Sequence, residues 1–402
     1  MDETRWFRAL QDLLGAAHLV RPDGLAATVG AVLAGIGVRS RIWLVDYEQV
    51  TLRALPEAGR PAPEPLPVDS SLAGRAFARV VSIRGEGDRW WVPMVDGTDR
   101  LGVMEFAGED LPPARCELVA GLVGHLVSAI SARGDHLERA RRSQPVTPAA
   151  ELVWRLVPPL TASCDRAAVS AVLQPCYDVG GDGFDYSLEG DTAHLVILDA
   201  VGKGMTAGVA CAVAISAVRA ARRNGADLLE QARTADRALT EQFPEGRFVT
   251  AVLAEMRLDT GALRYVNAGH PEPLLVRGGR LVREIPHGRR LPLGLADDDV
   301  RVGQESLEPG DRLLLYTDGV TEARTADGER FGLDRLVGLV GRHAADGLPA
   351  PETLRRLAHA VIDHQGATPD DDATLLMVEW SAAAARNTLP KAGQTAPDEE
   401  SG

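Results

Sequence analysis

Apolar residues recur at helical spacing over residues 4–17 and 25–34, and again over 116–132. Between them the pattern shortens to strand-like runs. Residues 40–47 (SRIWLVDY) predict a strand, and 89–95 (RWWVPMV) with 100–106 (RLGVMEF) predict paired strands around the turn Asp96-Gly97. Residues 72–78 fit a short helix. Five prolines within residues 56–67 preclude a regular element there. The charged stretch 134–143 extends the preceding helical pattern until Pro145 and Pro148 break it. Helical spacing resumes over 149–157 and stops at Pro158-Pro159. Leu152, Val153, Leu156 and Val157 in that second helix are spaced to pack one face against the following domain or against a second subunit, which would make a homodimer.

From residue 167 to 380 the pattern alternates between strands and helices. Strands are expected at 168–173, 193–198, 248–256, 262–267, 274–277, 312–316 and 374–379, and helices at 205–223, 227–243, 333–343 and 351–364. From about residue 382 the chain is alanine-rich and then acidic, without apolar periodicity, which predicts a disordered tail. The expected organisation is therefore a regulatory domain over 1–133, a helical linker over 134–159, a second domain over 160–381 and a tail over 382–402. The fold class is α+β.

Composition narrows the function. A chain of 402 residues is too long for one ordinary core, and 45% hydrophobic with 25% charged residues is the balance of a folded soluble protein. A net charge of −14 argues against nucleic acid as a partner. Cys116, Cys164, Cys176 and Cys211 are scattered, without CxxC spacing, so neither a zinc site nor a disulfide framework is expected. The first twenty residues lack the basic start and apolar run of a signal peptide. The longest weakly polar stretch, 207–218, falls short of the roughly 20 residues of a membrane span. A cytoplasmic location without membrane contact is the expectation.

Acidic residues gather in four clusters near glycine or turns. They are VGGDGFD (179–185), DAVGKG (199–204), YTDG (316–319) and DDDAT (370–374), and the last three abut apolar runs. One carboxylate at the end of a buried strand is explained by a cap or a turn. Four clusters meeting without a cation would repel one another. Oxygen donors without histidine or cysteine point to a hard divalent ion, Mg²⁺ or Mn²⁺. Spacing alone does not name a reaction.

The run VGGDGFDY, LDAVGKGMTAG, NAGHPEPLL, LPLGL, LLLYTDGVTEAR, GERFG and DDDATLLMVEW resembles, in order and spacing, the SpoIIE-like branch of the PPM (type 2C) metal-dependent protein serine/threonine phosphatases, over about residues 150–380. That resemblance implies a four-layer α-β-β-α sandwich and two divalent metal ions, Mn²⁺ or Mg²⁺, that activate a water for in-line hydrolysis of a phosphomonoester. Asp182 would bind the second metal. Asp199 would bridge both, with the Ala200 carbonyl assisting at the second, and Asp318 and Asp371 would complete the first. Asp185 and Asp372 would stand behind them and orient water. The implied partner is a phosphorylated protein, by analogy an anti-sigma-factor antagonist of the STAS type. Val201 occupies the position where animal members carry a histidine proposed as general acid. The leaving-group acid is thus open between Lys203, His270 and a metal-bound water, although a turn such as NAGHP can need its histidine only to hold the loop.

Residues 20–133, by the order of their elements, resemble a smaller GAF-type sensory domain; an α+β regulatory domain without a small ligand fits the same order. Two further function classes compete. A catalytically silent scaffold would use the same fold for partner switching, but has no chemical need for all four acids. A nucleotide cyclase would also pair metal-binding aspartates, but fits the TDG and DDAT motifs poorly.

Overall fold

The computed structural model describes residues 3–57, 61–174, 177–178, 180–297, 300–366 and 371–390. Cys176, Val179, Asp370 and the tail beyond residue 390 lie outside the described residues. The chain divides into two compact units, residues 1–144 with 387–402, and residues 145–386.

The first unit runs α1 (Glu3–Ala17), α2 (Leu25–Ala34), β1 (Arg39–Val45), β2 (Thr51–Ala54), β3 (Leu66–Pro67), α3 (Leu72–Arg79), β4 (Ile83–Arg84), β5 (Arg89–Asp96), β6 (Asp99–Ala107), α4 (Pro113–Ser131) and α5 (His136–Arg141). Its strands form one antiparallel sheet in the order β3-β2-β1-β6-β5-β4. Alternation along each strand gives the sheet two apolar faces. Ile42, Leu44, Val92 and Met104 meet α1, α2 and α4, whereas Trp43, Val45, Trp91 and Val103 meet α3.

The second unit runs α6 (Pro148–Leu156), β7 (Thr161–Cys164), β8 (Ala167–Gln174), β9 (Asp182–Glu189), β10 (Thr192–Ala200), α7 (Gly204–Arg223), α8 (Leu228–Gln242), β11 (Val249–Arg257), β12 (Ala262–Ala268), β13 (Leu274–Arg277), β14 (Arg280–Glu284), β15 (Arg289–Arg290), β16 (Gly303–Ser306), β17 (Arg312–Tyr316), α9 (Asp318–Glu322), α10 (Leu333–Ala345), α11 (Ala350–Gln365), β18 (Ala373–Glu379) and α12 (Ala382–Asn387). Two sheets stack, ordered β15-β12-β11-β10-β9, with β16 also on β12, and β14-β13-β17-β18-β8-β7. Helices α6, α7 and α8 cover the first sheet, and α10 and α11 cover the second. This is a four-layer α-β-β-α sandwich. The period of two sorts the side chains of the second sheet: Leu376, Val378, Leu313 and Leu315 face the other sheet, while Leu375, Met377, Leu314 and Tyr316 face the helices. With both faces covered, β8 is buried at every position.

Three sequence expectations give way here. The helix over 116–132 does not run on through the charged segment. It stops at Ser131, and α5 folds back onto the first unit, where Leu137 is fully buried, Arg141 Nε donates to the Val45 carbonyl at 3.0 Å and the Tyr47 hydroxyl donates to Glu138. One buried leucine and a few polar anchors dock a helix whose composition looked wholly solvated. The face of α6 buried in the core is carried by Ala149, Ala150 and Val153, not by Leu152 and Leu156. Residues 382–387 form a helical turn with Ala384 and Ala385 buried, in keeping with the high helix propensity of alanine. In addition, α4 and α7 are long and apolar enough to cross a bilayer by length and composition. Each instead lays its buried residues against a sheet.

Candidate active site

Asp182 opens β9, and Asp199 lies directly across from it on β10. On the facing sheet β17 ends at Tyr316, so that Thr317 and Asp318 follow at its mouth, and Asp371-Asp372 immediately precede β18. Hydrogen bonds lock these segments together. Thr317 Oγ1 donates to Asp182 Oδ2 at 2.7 Å and accepts from the Thr374 N–H at 2.9 Å, joining the two sheets. Asp372 Oδ2 accepts from the N–H groups of Gly180 (2.6 Å), Gly181 (2.8 Å) and Asp182 (3.3 Å). The glycines allow the approach: a Cβ on Gly181 would overlap the Ala200 carbonyl oxygen, and one on Gly319 the Asp372 carbonyl oxygen.

The acids grade from inside to outside. Asp182 is buried, Asp199 half-buried, and Asp318 and Asp371 are exposed at the rim. Burial, then the charges of Asp199 and Asp372, push the Asp182 carboxyl well above the ordinary range, against the hydrogen bond from Thr317. Asp199 is pushed up to about 7, by burial and then by Asp318, Asp371 and Asp372. Asp318 is raised by burial and by Asp371. Asp372 is raised by burial, while its three backbone donors oppose the shift. These carboxylates share one electrostatic neighbourhood and are each costly there as anions, the condition that a divalent cation relieves. Among the described residues no group of three or more acidic, histidine or cysteine side chains is already closed around one ion-sized point. By donor chemistry the set fits a hard, oxygen-seeking cation.

A family model described as Stage II sporulation protein E (SpoIIE) matches residues 189–381, a span that holds Asp199, Asp318 and Asp371. The chain carries a SpoIIE-family domain. Asp182 stands just ahead of the matched span. Phosphoserine phosphatase RsbU of Bacillus subtilis (strain 168) is 24% identical over 213 residues, 52% of this chain and 62% of that protein. Phosphoserine phosphatase RsbP of the same organism is 26% identical over 164 residues, 39% of this chain and 40% of RsbP. The chain thus matches less than two thirds of the length of either relative. The solved SiaA-PP2C domain of Pseudomonas aeruginosa is similar at 22% identity and TM-score 0.49, covering 63% of this chain and 99% of that one.

Other acids and nucleophiles of the SpoIIE domain face elsewhere. Asp185, expected to orient water behind the site, points to the opposite face of β9, because three residues along a strand reverse the side-chain direction. There it pairs with Arg219 at 2.6 Å and Arg222 at 2.9 Å on α7. Cys211 is buried on that same face, where the lack of solvent keeps its thiol protonated. Lys203 is the residue that precedes α7.

His270 is buried at 2% exposure, and burial pushes its imidazole down to about 3, so it is neutral at pH 7. Its N–H donates to Asn267 Oδ1 at 2.8 Å, Nδ1 meets the Thr250 hydroxyl at 2.8 Å, and Nε2 turns toward the Tyr316 carbonyl without closing a bond. Thr250 lies opposite Asp199, and Tyr316 is two residues from Asp318. His270 is a neutral prop between the two sheets, not an imidazolium held ready as an acid. His270→Ala is expected to cost about 2 kcal/mol of stability, or roughly 4–8 °C in thermal midpoint for a unit of this size. Its loss of turnover should be smaller than that of Asp199→Asn. An unchanged midpoint with turnover as low as in Asp199→Asn would remove the prop assignment.

Neither Thr317 nor the capping role of Asp372 was evident beforehand. The signal for Thr317 lay within the YTDG motif, where the residue before the acid must face inward once Leu315 does.

Proposed function

We propose that the SpoIIE domain hydrolyses phosphoserine or phosphothreonine on a partner protein with the help of divalent metal ions, Mn²⁺ or Mg²⁺. The observation that carries this reading is the convergence of Asp182, Asp199, Asp318 and Asp371 from four separate segments at one end of two stacked sheets. The names of the relatives RsbU and RsbP support phosphoserine as the substrate class. Asp182, Asp199, the Ala200 carbonyl, Asp318 and Asp371 would hold the ions, which when bound supply charge neutralisation and an acidified water. The remaining residues set the frame. Thr317 fixes the buried oxygen of Asp182, Asp372 fixes the glycine turn before it, and His270 braces β11, through Thr250, against the end of β17.

The family likeness extends the proposal to a STAS-type anti-sigma-factor antagonist as the partner. It also makes residues 1–144 a GAF-like sensory unit that tunes the rate, a reading supported by its helix-flanked antiparallel sheet. One experiment tests both levels: phosphate release from a panel of phosphorylated STAS-domain proteins, with and without Mn²⁺, using the full chain and a form lacking residues 1–144. Mn²⁺-dependent release from a member of the panel, at a rate changed severalfold by the truncation, is expected. No release from any phosphoprotein with Mn²⁺ present would reject the phosphatase reading, and equal rates in the two forms would reject control by the first unit.

A further inference from the structure

Two pieces of the sequence have no part in the carboxylate cluster: LPLGL (291–295) and the Gly246-Arg247-Phe248 step into β11. They meet. Leu293 and Val249 exchange backbone hydrogen bonds at 2.9 and 2.8 Å. Gly294, at φ +94°, comes so close to the Arg247 carbonyl oxygen that a Cβ there would overlap it. The Gly294 N–H donates to Asp236 Oδ1 on α8 at 2.8 Å, and Asp236 is itself held by the buried Arg290 guanidinium at 2.8 and 2.9 Å. The loop over 290–295 is therefore bolted to α8, and its outer edge clamps the backbone of Arg247.

That clamp fixes where the Arg247 side chain stands. Ala200 pairs with Val249, the Val201 N–H donates to the Phe248 carbonyl at 3.2 Å, and Arg247 is the next residue outward. Its Nη1 donates to the Val201 carbonyl at 3.4 Å, beside Gly202. Among the described residues its charge pairs with one carboxylate, Glu245 at 3.5 Å, whose side chain is 60% exposed. A surface pair of that kind is weak and exchangeable. The guanidinium thus sits two residues past Asp199, at the edge of a site whose own side chains are acidic.

We infer that Arg247 receives the phosphoryl group of the substrate. This rests on the phosphatase reading above. A phosphate monoester carries close to two negative charges and three acceptor oxygens at neutral pH. The fork of an arginine can take two of those oxygens at once, a geometry that lysine lacks. The exposed Glu245 is the group that phosphate displaces, and the rigid mounting on α8 means that little ordering accompanies binding.

The test uses the full chain loaded with Mn²⁺, a phosphoseryl peptide for kinetics, and inorganic phosphate as competitor and calorimetric ligand. Arg247→Ala is expected to raise KM by about 10- to 100-fold and to weaken orthophosphate by a similar factor. The change in kcat should be small, and the Mn²⁺ concentration giving half-activity should not move. Arg247→Lys should fall between the variant and the parent protein. Unchanged KM and orthophosphate binding in Arg247→Ala, with an active parent, would overturn the assignment and leave the phosphatase reading intact. A matching loss of Mn²⁺ affinity would overturn it in favour of a loop-supporting role. A parent protein that neither hydrolyses the peptide nor binds orthophosphate would take down both.

Discussion

Asp199→Asn and Asp318→Asn, made separately, are each expected to lower Mn²⁺-supported phosphate release by ~10³-fold or more without unfolding the protein. The amide keeps the size of the carboxylate and removes its charge, so cation binding suffers while packing does not. Asp199 carries a second, opposite signature. It faces Asp182 across the β9–β10 pair and lies within reach of the charges of Asp318, Asp371 and Asp372, which together with burial push its carboxyl to about 7. Neutralising it relieves that repulsion. In chelator, Asp199→Asn should therefore melt at a higher temperature than the parent protein, while being the less active of the two with Mn²⁺. If both variants kept a tenth or more of parental turnover, these acids would not be the centre of the chemistry.

Exhaustive chelation is expected to abolish hydrolysis of an aryl phosphate, and Mn²⁺ or Mg²⁺ to restore it. The same acids give this loss a pH signature. Asp182, Asp199, Asp318 and Asp372 all have carboxyls raised in the folded chain, whereas in the unfolded chain they return to about 3.9. Above pH 4 the folded chain holds protons that the unfolded chain has released. For acids with raised values, stability is fully present below the unfolded value and is lost as pH rises through the folded one. The chelated protein should thus lose thermal stability between pH 5 and pH 8, and added Mn²⁺ should raise the midpoint more at pH 8 than at pH 5. Asp199→Asn should flatten the slope. Full activity after chelation, or a chelated midpoint that climbs over this range, would contradict the cation-binding reading.

Much of this was legible in the strand and helix periods of residues 167–380, because long two-faced segments advertise the layer they bury. The acids were legible as clusters beside apolar runs. What the pattern hid was the direction of individual side chains. Strand β9 reads DGFDYSLE, and its glycine and two aspartates speak against a strand until partners are supplied. Asp182 finds Thr317 on one face, and Asp185 finds Arg219 and Arg222 on the other. Those partners lie 135, 34 and 37 positions away in the chain, beyond any local window. Likewise α5 looked like a solvated strut, because a single buried leucine gives no period to detect.

The second sheet has a consequence for how the domain is made. Within it the pair β18–β8 joins residues 373–379 to 168–174, and the Asp372 carboxylate that caps the Gly180–Asp182 turn arrives with β18. During synthesis the sheet stays in two halves, β7–β8 on one side and β13, β14 and β17 on the other, until some two hundred further residues have left the ribosome. Contacts of such long sequence separation form slowly. Until they form, the inner faces of β8 and β17 lie open to association with other nascent chains. The Gly180–Asp182 turn is therefore shaped by the last strand of the sheet to emerge, and a chain interrupted before residue 372 carries most of the clustered acids without the carboxylate that fixes that turn.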